Sequence, residues 1–305
     1  MYETVSPPLV IGGLGGSGTR VVADIVLAQG WYLGQDLNRA KDNLLFTLLF
    51  KRPYWRKQLS NGVAPFQHHM ELFERRMAGK RLRLSEWPLL LVAFGDAIRY
   101  GHDHAGSTRG TVIGRILRRI VWSLIRLAKI VSPFSRAHDL SRPWGWKEPN
   151  SHIYLNELSA HYPGMKYIHV IRNGLDMAYS SNQAQLHNWG DLFGIALTPG
   201  TSSRQRAQKS LEFWIRANLQ AMERGRNLLG ERFLVVNYDD LCLNPKPQIQ
   251  RICGFGGSDC SRQEIETLVR IPHIAASLGR FRTQDLSIFD PHQIDTVRSL
   301  GFRTE

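Results

Sequence analysis

A chain of 305 residues with 43% hydrophobic content has apolar material for one large α/β domain or two small ones, which excludes a disordered or fibrous class. Its 39 Lys and Arg against 26 Asp and Glu leave a net charge of +13, so polyanions or anionic small molecules are the expected partners. Nucleic acid is not expected, because no zinc-finger spacing, RNP-like aromatic segment or helix-turn-helix pattern accompanies the charge.

The first informative stretch is Pro8 to Ala28. Leu9 to Ile11 suit a buried strand, Gly12, Gly13, Gly15, Gly16 and Gly18 allow backbone conformations closed to other residues, and Ser17 or Thr19 begins a helix. Free amides in such a turn, with the positive end of the helix dipole behind them, form a site for phosphate or sulfate. The spacing Gly13-x-x-x-x-Gly18 matches a nucleotide-triphosphate loop, but that motif continues with Lys and then Ser or Thr, whereas Thr19 and Arg20 follow here.

Gly30 to Gly34 reads as a helix stop and a short second strand, after which Asp36 and Asp42 flank the basic pair Arg39 and Lys41. Residues 43–73 are helix-compatible, interrupted at Pro53 and Pro65, and Arg75 to Arg83 is basic. The histidines His68, His69, His102 and His104 lack ligand spacing and read as surface residues, so no metal is expected. From Arg115 to Val131 the cations Arg115, Arg118, Arg119, Arg126 and Lys129 fall on one helical face, and Ile116, Leu117, Ile120, Val121, Leu124, Leu127 and Ala128 on the other. Two readings stay open: the apolar face packs on the domain while the basic stripe meets water, or that stripe rests on anionic lipid. No apolar run reaches membrane-spanning length, and no secretory leader precedes the first strand. Cys242, Cys253 and Cys260 are odd in number without a Cys-x-x-Cys pair, so neither a disulfide nor a zinc site is expected and a reducing cytoplasm fits.

In Trp144 to Asn182, Ile153 to His161 suits a helix ended by Pro163-Gly164, and Lys166 to Ile171 alternates toward a buried strand with Arg172 at its carboxyl end. Ser180 then falls about two turns into the next helix. Ligands of open α/β sheets bind outside the carboxyl ends of strands, so Arg172 and the Gly13 to Arg20 loop are expected to face one crevice. Further on, Ser203 to Leu228 reads as one long helix and Arg232 to Val236 as another strand.

Two motifs together resemble the sulfotransferases that use 3'-phosphoadenosine-5'-phosphosulfate. Gly13-Leu14-Gly15-Gly16-Ser17-Gly18-Thr19 is similar to the family's loop for the 5'-phosphosulfate. Tyr167 to Ser180 is similar to its strand-to-helix segment for the 3'-phosphate, with Arg172 and Ser180 at the phosphate-binding Arg and Ser. Trp146-Lys147-Glu148-Pro149 resembles a Lys-x-Pro element, and the segment Asn237-Tyr238-Asp239-Asp240-Leu241 a Tyr-Glu-Asp-Leu stretch. One departure stands out: the loop of this family usually carries Lys or Arg where the chain has Gly16.

The resemblance implies a single three-layer α/β/α domain over residues 1–305, with a central parallel sheet and a mostly helical insertion over about residues 80–140. It implies sulfuryl transfer without a metal, to a hydroxyl or amine of a carbohydrate, glycolipid or small alcohol. Gly15, Gly16, Ser17, Gly18, Thr19, Arg20, Arg172, Ser180, Tyr238 and Arg280 are then the donor-binding candidates, with Arg20 or Lys147 replacing the missing loop cation. A carboxylate soon after the first helix serves as base in some relatives, which makes Asp36 the first candidate and Asp42 the next. A P-loop kinase or NTPase, and a basic membrane- or nucleic-acid-binding module, are the competing readings.

Overall fold

The computed structural model describes residues 5–62, 65–101, 111–132, 138–257 and 259–305. Its centre is β1 (Leu9–Gly13), an apolar run buried along its whole length, as a parallel strand covered on both faces must be. The chain then turns through the glycine-rich loop into α1 (Thr19–Ala28). Helices α2 (Leu44–Phe50), α3 (Pro53–Ser60) and α4 (Phe66–Met77) follow, with Pro53 and Pro65 at helix starts where a missing amide costs nothing. Helices α5 (Trp87–Tyr100) and α6 (Val112–Val131) pack against each other between α4 and the return of the chain to the sheet.

The chain returns to the sheet with β2 (Gly145–Lys147), runs through α7 (Leu155–His161) into β3 (Lys166–Ile171), and continues into the short helices α8 (Gly174–Ala178) and α9 (Ala184–Trp189). The long α10 (Ser203–Leu229) starts at a reciprocal Ser202–Gln205 cap and leads to β4 (Phe233–Asn237). Helices α11 (Tyr238–Leu243), α12 (Pro245–Gly256), α13 (Arg262–Leu268) and α14 (Pro291–Ser299) complete the described chain.

The four strands are parallel, in the order β2-β1-β3-β4. Alternation along each strand divides the interior into two cores. Val10, Trp146, Tyr167 and Ile171 meet α2, α4 and α10 on one face, and Leu9, Ile11, Ile168 and Val236 meet α1 and α12 on the other, which makes the three layers. Because all strands run one way, Gly13, Lys147, Ile171 and Asn237 end on the same edge, and the connections leaving them share one side of the molecule.

Several sequence expectations are corrected. Gly30 to Gly34 forms no strand, only a single bridge from Tyr32 to Trp144. Ser180 lies past the end of α8, where its hydroxyl accepts the Asn182 amide at 3.2 Å. His69 is buried, hydrogen-bonded through Nδ1 to the Pro65 carbonyl at 2.8 Å, and burial pushes its pKa down to about 4. His102 and His104 lie outside the described residues. Cys253 and Cys260 form a disulfide across the end of α12, contrary to the expectation of none, because the turn after the helix returns the chain to a Cα separation of 6.1 Å.

The largest correction concerns α6, which docks through part of its basic side. Arg119 donates to the carbonyls of Ile98 and Arg99 at 3.3 and 3.1 Å, satisfying the negative carboxyl end of α5. Arg126 and Lys129 reach Asp36 at 2.8 and 2.6 Å. These contacts turn Leu117 and Leu124 outward, so most of the face expected to pack on the domain is exposed, Leu127 alone of it meeting the core. No helix among the described residues is long and apolar enough to cross a membrane.

Candidate functional site

The glycine loop joins β1 to α1 by visiting backbone space that side chains avoid. Gly16 and Gly18 have φ of +96° and +93°, and a Cβ on Gly18 would lie 2.0 Å from the Tyr238 ring. The same φ gives a reason for glycine at position 16, where a lysine or arginine would carry left-handed strain. Gly18 caps α1 without a side chain, and no acidic residue stands in the first turn, so the amides and the positive helix end are left for an anion. The buried Ser17 hydroxyl has no hydrogen-bond partner among the described residues, the kind of orphan a bound phosphosulfate oxygen would satisfy.

A cavity of about 290 Å³ lies over this loop, walled by Gly15, Gly16, Gly18, Thr19 and Arg20 on one side and by Lys147, Glu148 and Asn150 on the other. Lys147 is placed by the register of β2, its Cα opposite Ile11 of β1. Its buried ammonium is ion-paired with Asp42 and donates to the Ala40 carbonyl at 3.1 Å. Asp42 is held in turn by the Asn38 amide, Nδ2 to Oδ2 2.8 Å.

A second cavity, of about 460 Å³, extends beneath α6 along Asp36, Trp122, Arg126 and Lys129. The two share Asp42, Lys51 and Glu148. From Asp36 a third, of about 250 Å³, runs on to the apolar residues Tyr32, Met77 and Ile130.

Glu148 received no role from the sequence alone. It is buried, with its carboxylate accepting from the Asn150 amide and from Asn150 Nδ2, both at 2.7 Å. Burial, then the neighbouring Asp42 charge, pushes its pKa up to about 7, against the pull of Lys51 and Lys147. Lys51, at the end of α2, was missed because a lone lysine after an apolar helix has no signature. Glu148 lies within Trp146-Lys147-Glu148-Pro149, and its signal in the sequence is a carboxylate beside a candidate cation.

Arg172, just past β3, donates to the Ser277 carbonyl and hydroxyl at 2.8 Å each, and its guanidinium lies 5.3 Å from the centre of the Tyr238 ring. Arg280 donates to the Ser277 and Tyr179 carbonyls, both at 3.4 Å. Asp176 draws this segment in by accepting the Gly279 and Phe281 amides at 2.8 and 3.1 Å. Burial, then the charge of Arg172, lower the pKa of Arg280 against the opposing pull of Asp176, whose Oδ2 lies 3.7 Å from the Arg172 guanidinium. Tyr238 touches both the loop and Arg172, so the loop, Tyr238, Arg172 and Arg280 form one continuous group. Asp36 is apart from it, engaged by α6, whereas Asp42 lies in it. Among the described residues no group of His, Cys, Asp and Glu is arranged to hold a metal ion.

A model of the Sulfotransferase family matches residues 7–261. No curated protein sequence matches significantly. Among solved structures the chain is similar to the sulfotransferase domain of the Synechococcus PCC 7002 olefin synthase, at 15% identity over 100% of this chain and 98% of that one, with a TM-score of 0.46. It is also similar to a sulfotransferase from Mycobacterium tuberculosis H37Rv, at 15% identity over 88% and 72% of the two chains, TM-score 0.42. A sulfotransferase domain from the curacin biosynthetic pathway gives 13% identity over 93% and 83%, TM-score 0.42.

Proposed function

Because the chain belongs to the sulfotransferase family, we propose that it transfers a sulfuryl group from 3'-phosphoadenosine-5'-phosphosulfate to the hydroxyl or amine of a carbohydrate, glycolipid or small alcohol. The observation that carries this reading is the junction at Asp42, Lys51 and Glu148, beside Lys147, where an anion-binding loop cavity and a second, larger cavity have walls in common. The first suits a donor and the second an acceptor.

In this reading the Gly15 to Arg20 amides and the start of α1 hold the 5'-phosphosulfate. Arg172, Arg280 and Ser180 hold the 3'-phosphate, with Tyr238 between the two phosphate sites. Lys147 offsets the charge that grows on the leaving phosphate oxygen as its bond to sulfur breaks, the part a cation fixed in a buried site performs best. Lys51 and Arg20 add positive charge in place of the loop cation absent at Gly16. Glu148 takes the proton of the acceptor as its oxygen or nitrogen bonds to sulfur, and a carboxylate with a pKa of about 7 is matched to that work near neutrality. Asp42 positions Lys147, and Asp36 positions the α6 wall. The products are a sulfate ester or sulfamate and 3'-phosphoadenosine-5'-phosphate.

The reading is tested by incubating the protein with the donor and a panel of sugars, glycolipids and alcohols while following release of 3'-phosphoadenosine-5'-phosphate. Acceptor-dependent release that Glu148→Gln removes is expected. Release that Glu148→Gln leaves intact but Asp42→Asn removes would move the base to Asp42, and no release with any acceptor would count against sulfuryl transfer.

A further inference from the structure

Helix α6 contains no acidic residue between Val112 and Val131, and its docking side is fixed by the Arg119, Arg126 and Lys129 contacts and by buried Ser123 and Ile130. On the opposite side Ile113, Leu117, Val121, Leu124 and Ile125 are between 45% and 71% exposed. They run from residue 113 to 125 of the 20-residue helix, a length of about 18 Å. Helix α5, packed against it, adds exposed Leu91 and Val92. An apolar surface of this extent on one element is uncommon for a face that meets only water.

We propose that this face is a membrane anchor, with α6 lying in the headgroup layer of an anionic bilayer and its leucines, isoleucines and valines turned into the acyl boundary. Charge selects this occupant. At 3.6 residues per turn Arg115, Arg118 and Lys129 fall along one border of the apolar stripe, where an interfacial helix carries its cations at headgroup level. Lys129 keeps half its side chain exposed while paired with Asp36. A second copy of the chain would bring two acid-free cationic helices together in a protein of net charge +13, which opposes self-association through this face. A surface of anionic lipid takes both the apolar stripe and its charged border. The contact is the reverse of a basic stripe laid flat on lipid, because Arg119, Arg126 and Lys129 all reach groups of the protein.

The experiment is co-sedimentation of the full chain with vesicles of phosphatidylcholine alone and of phosphatidylcholine mixed equally with phosphatidylglycerol. Binding is expected to the mixed vesicles, to weaken with salt, and to persist in part at high salt because the apolar contact is not screened. Leu117→Glu with Leu124→Glu is expected to reduce partitioning by roughly a hundredfold, since two apolar side chains leave the acyl boundary. Both residues are exposed, so the melting temperature is expected to stay unchanged. Arg118→Glu is expected to weaken binding and flatten its salt dependence. The proposal is overturned if the protein ignores anionic vesicles at low salt, or if the double variant binds as well as the native chain. A dimer in gel filtration that the double variant dissolves, without vesicle binding, would assign the face to a second copy.

Discussion

On one side of the cavity junction, the Gly15 to Arg20 loop and the segment around Arg172 depend on backbone: left-handed glycines, a bare helix start, strand ends in register. On the other side, the α6 wall depends on side-chain pairing, with Arg126 and Lys129 on Asp36 and Arg119 on the end of α5. Backbone geometry constrains residue type at each position, so it leaves a motif. Pairing can be met by many arrangements, so it leaves only amphipathicity, which says that a helix has two faces and not which of them docks.

The contrast predicts where mutations bite. Lys147→Ala and Glu148→Gln, at the junction, are expected to lower turnover by roughly 10² to 10⁴ with product-nucleotide binding largely retained. Steady-state rates beside calorimetric affinities check the pair, and a loss confined to affinity would deny both a part in the chemistry.

Glu148 also gives the junction a signature in stability. Its folded pKa of about 7 stands above the unfolded value of 4.5, so the folded state holds the extra proton between those values. Stability is therefore fullest below about pH 4.5 for this group and is lost as pH rises through 7, by on the order of 3 kcal/mol. Glu148→Gln is expected to flatten that part of the profile, as read by denaturant unfolding at several pH values. An unchanged slope would mean that the carboxyl is not shifted.

Arg172→Ala is expected to weaken 3'-phosphoadenosine-5'-phosphate by roughly 1.5 to 3 kcal/mol, and adenosine-5'-phosphosulfate much less, because its guanidinium is assigned to the extra phosphate. Ser180→Ala should show the same pattern with a smaller loss. Equal weakening of both nucleotides would place the residues elsewhere on the donor. Asp36→Asn, on the pairing side, is expected to change turnover by less than about tenfold, the range of a positioning contact rather than a lost base. A loss matching that of Glu148→Gln would break the comparison and put the base beneath α6.

Much of the strand-end side was legible in the sequence. Lys166 to Ile171 and Leu9 to Ile11 are apolar runs bounded by Pro and Gly, and they became β3 and the body of β1. Arg280 converged on Arg172 through Asp176, a contact between residues 103 to 105 apart that no local pattern announces. Glu148 was visible as a letter but not as a base, because its pKa comes from burial and from Asp42, which the fold brings beside it. The inward turn of α6 was illegible because Asp36, nearly a hundred residues earlier in the chain, decides it. The Cys253–Cys260 pair is illegible because six residues lie between the two cysteines, outside any Cys-x-x-Cys spacing.

The central claim is that the glycine loop and Arg172 together hold a nucleotide with a 3'-phosphate. Isothermal calorimetry of the native chain with 3'-phosphoadenosine-5'-phosphate, and separately with ATP and magnesium, tests it most directly. The account predicts binding of the former at least roughly tenfold tighter, since only it offers a phosphate to the Arg172 and Arg280 guanidiniums. Tighter binding of ATP with magnesium would contradict the account and favour a kinase or NTPase, and binding of neither would leave a basic module without a nucleotide.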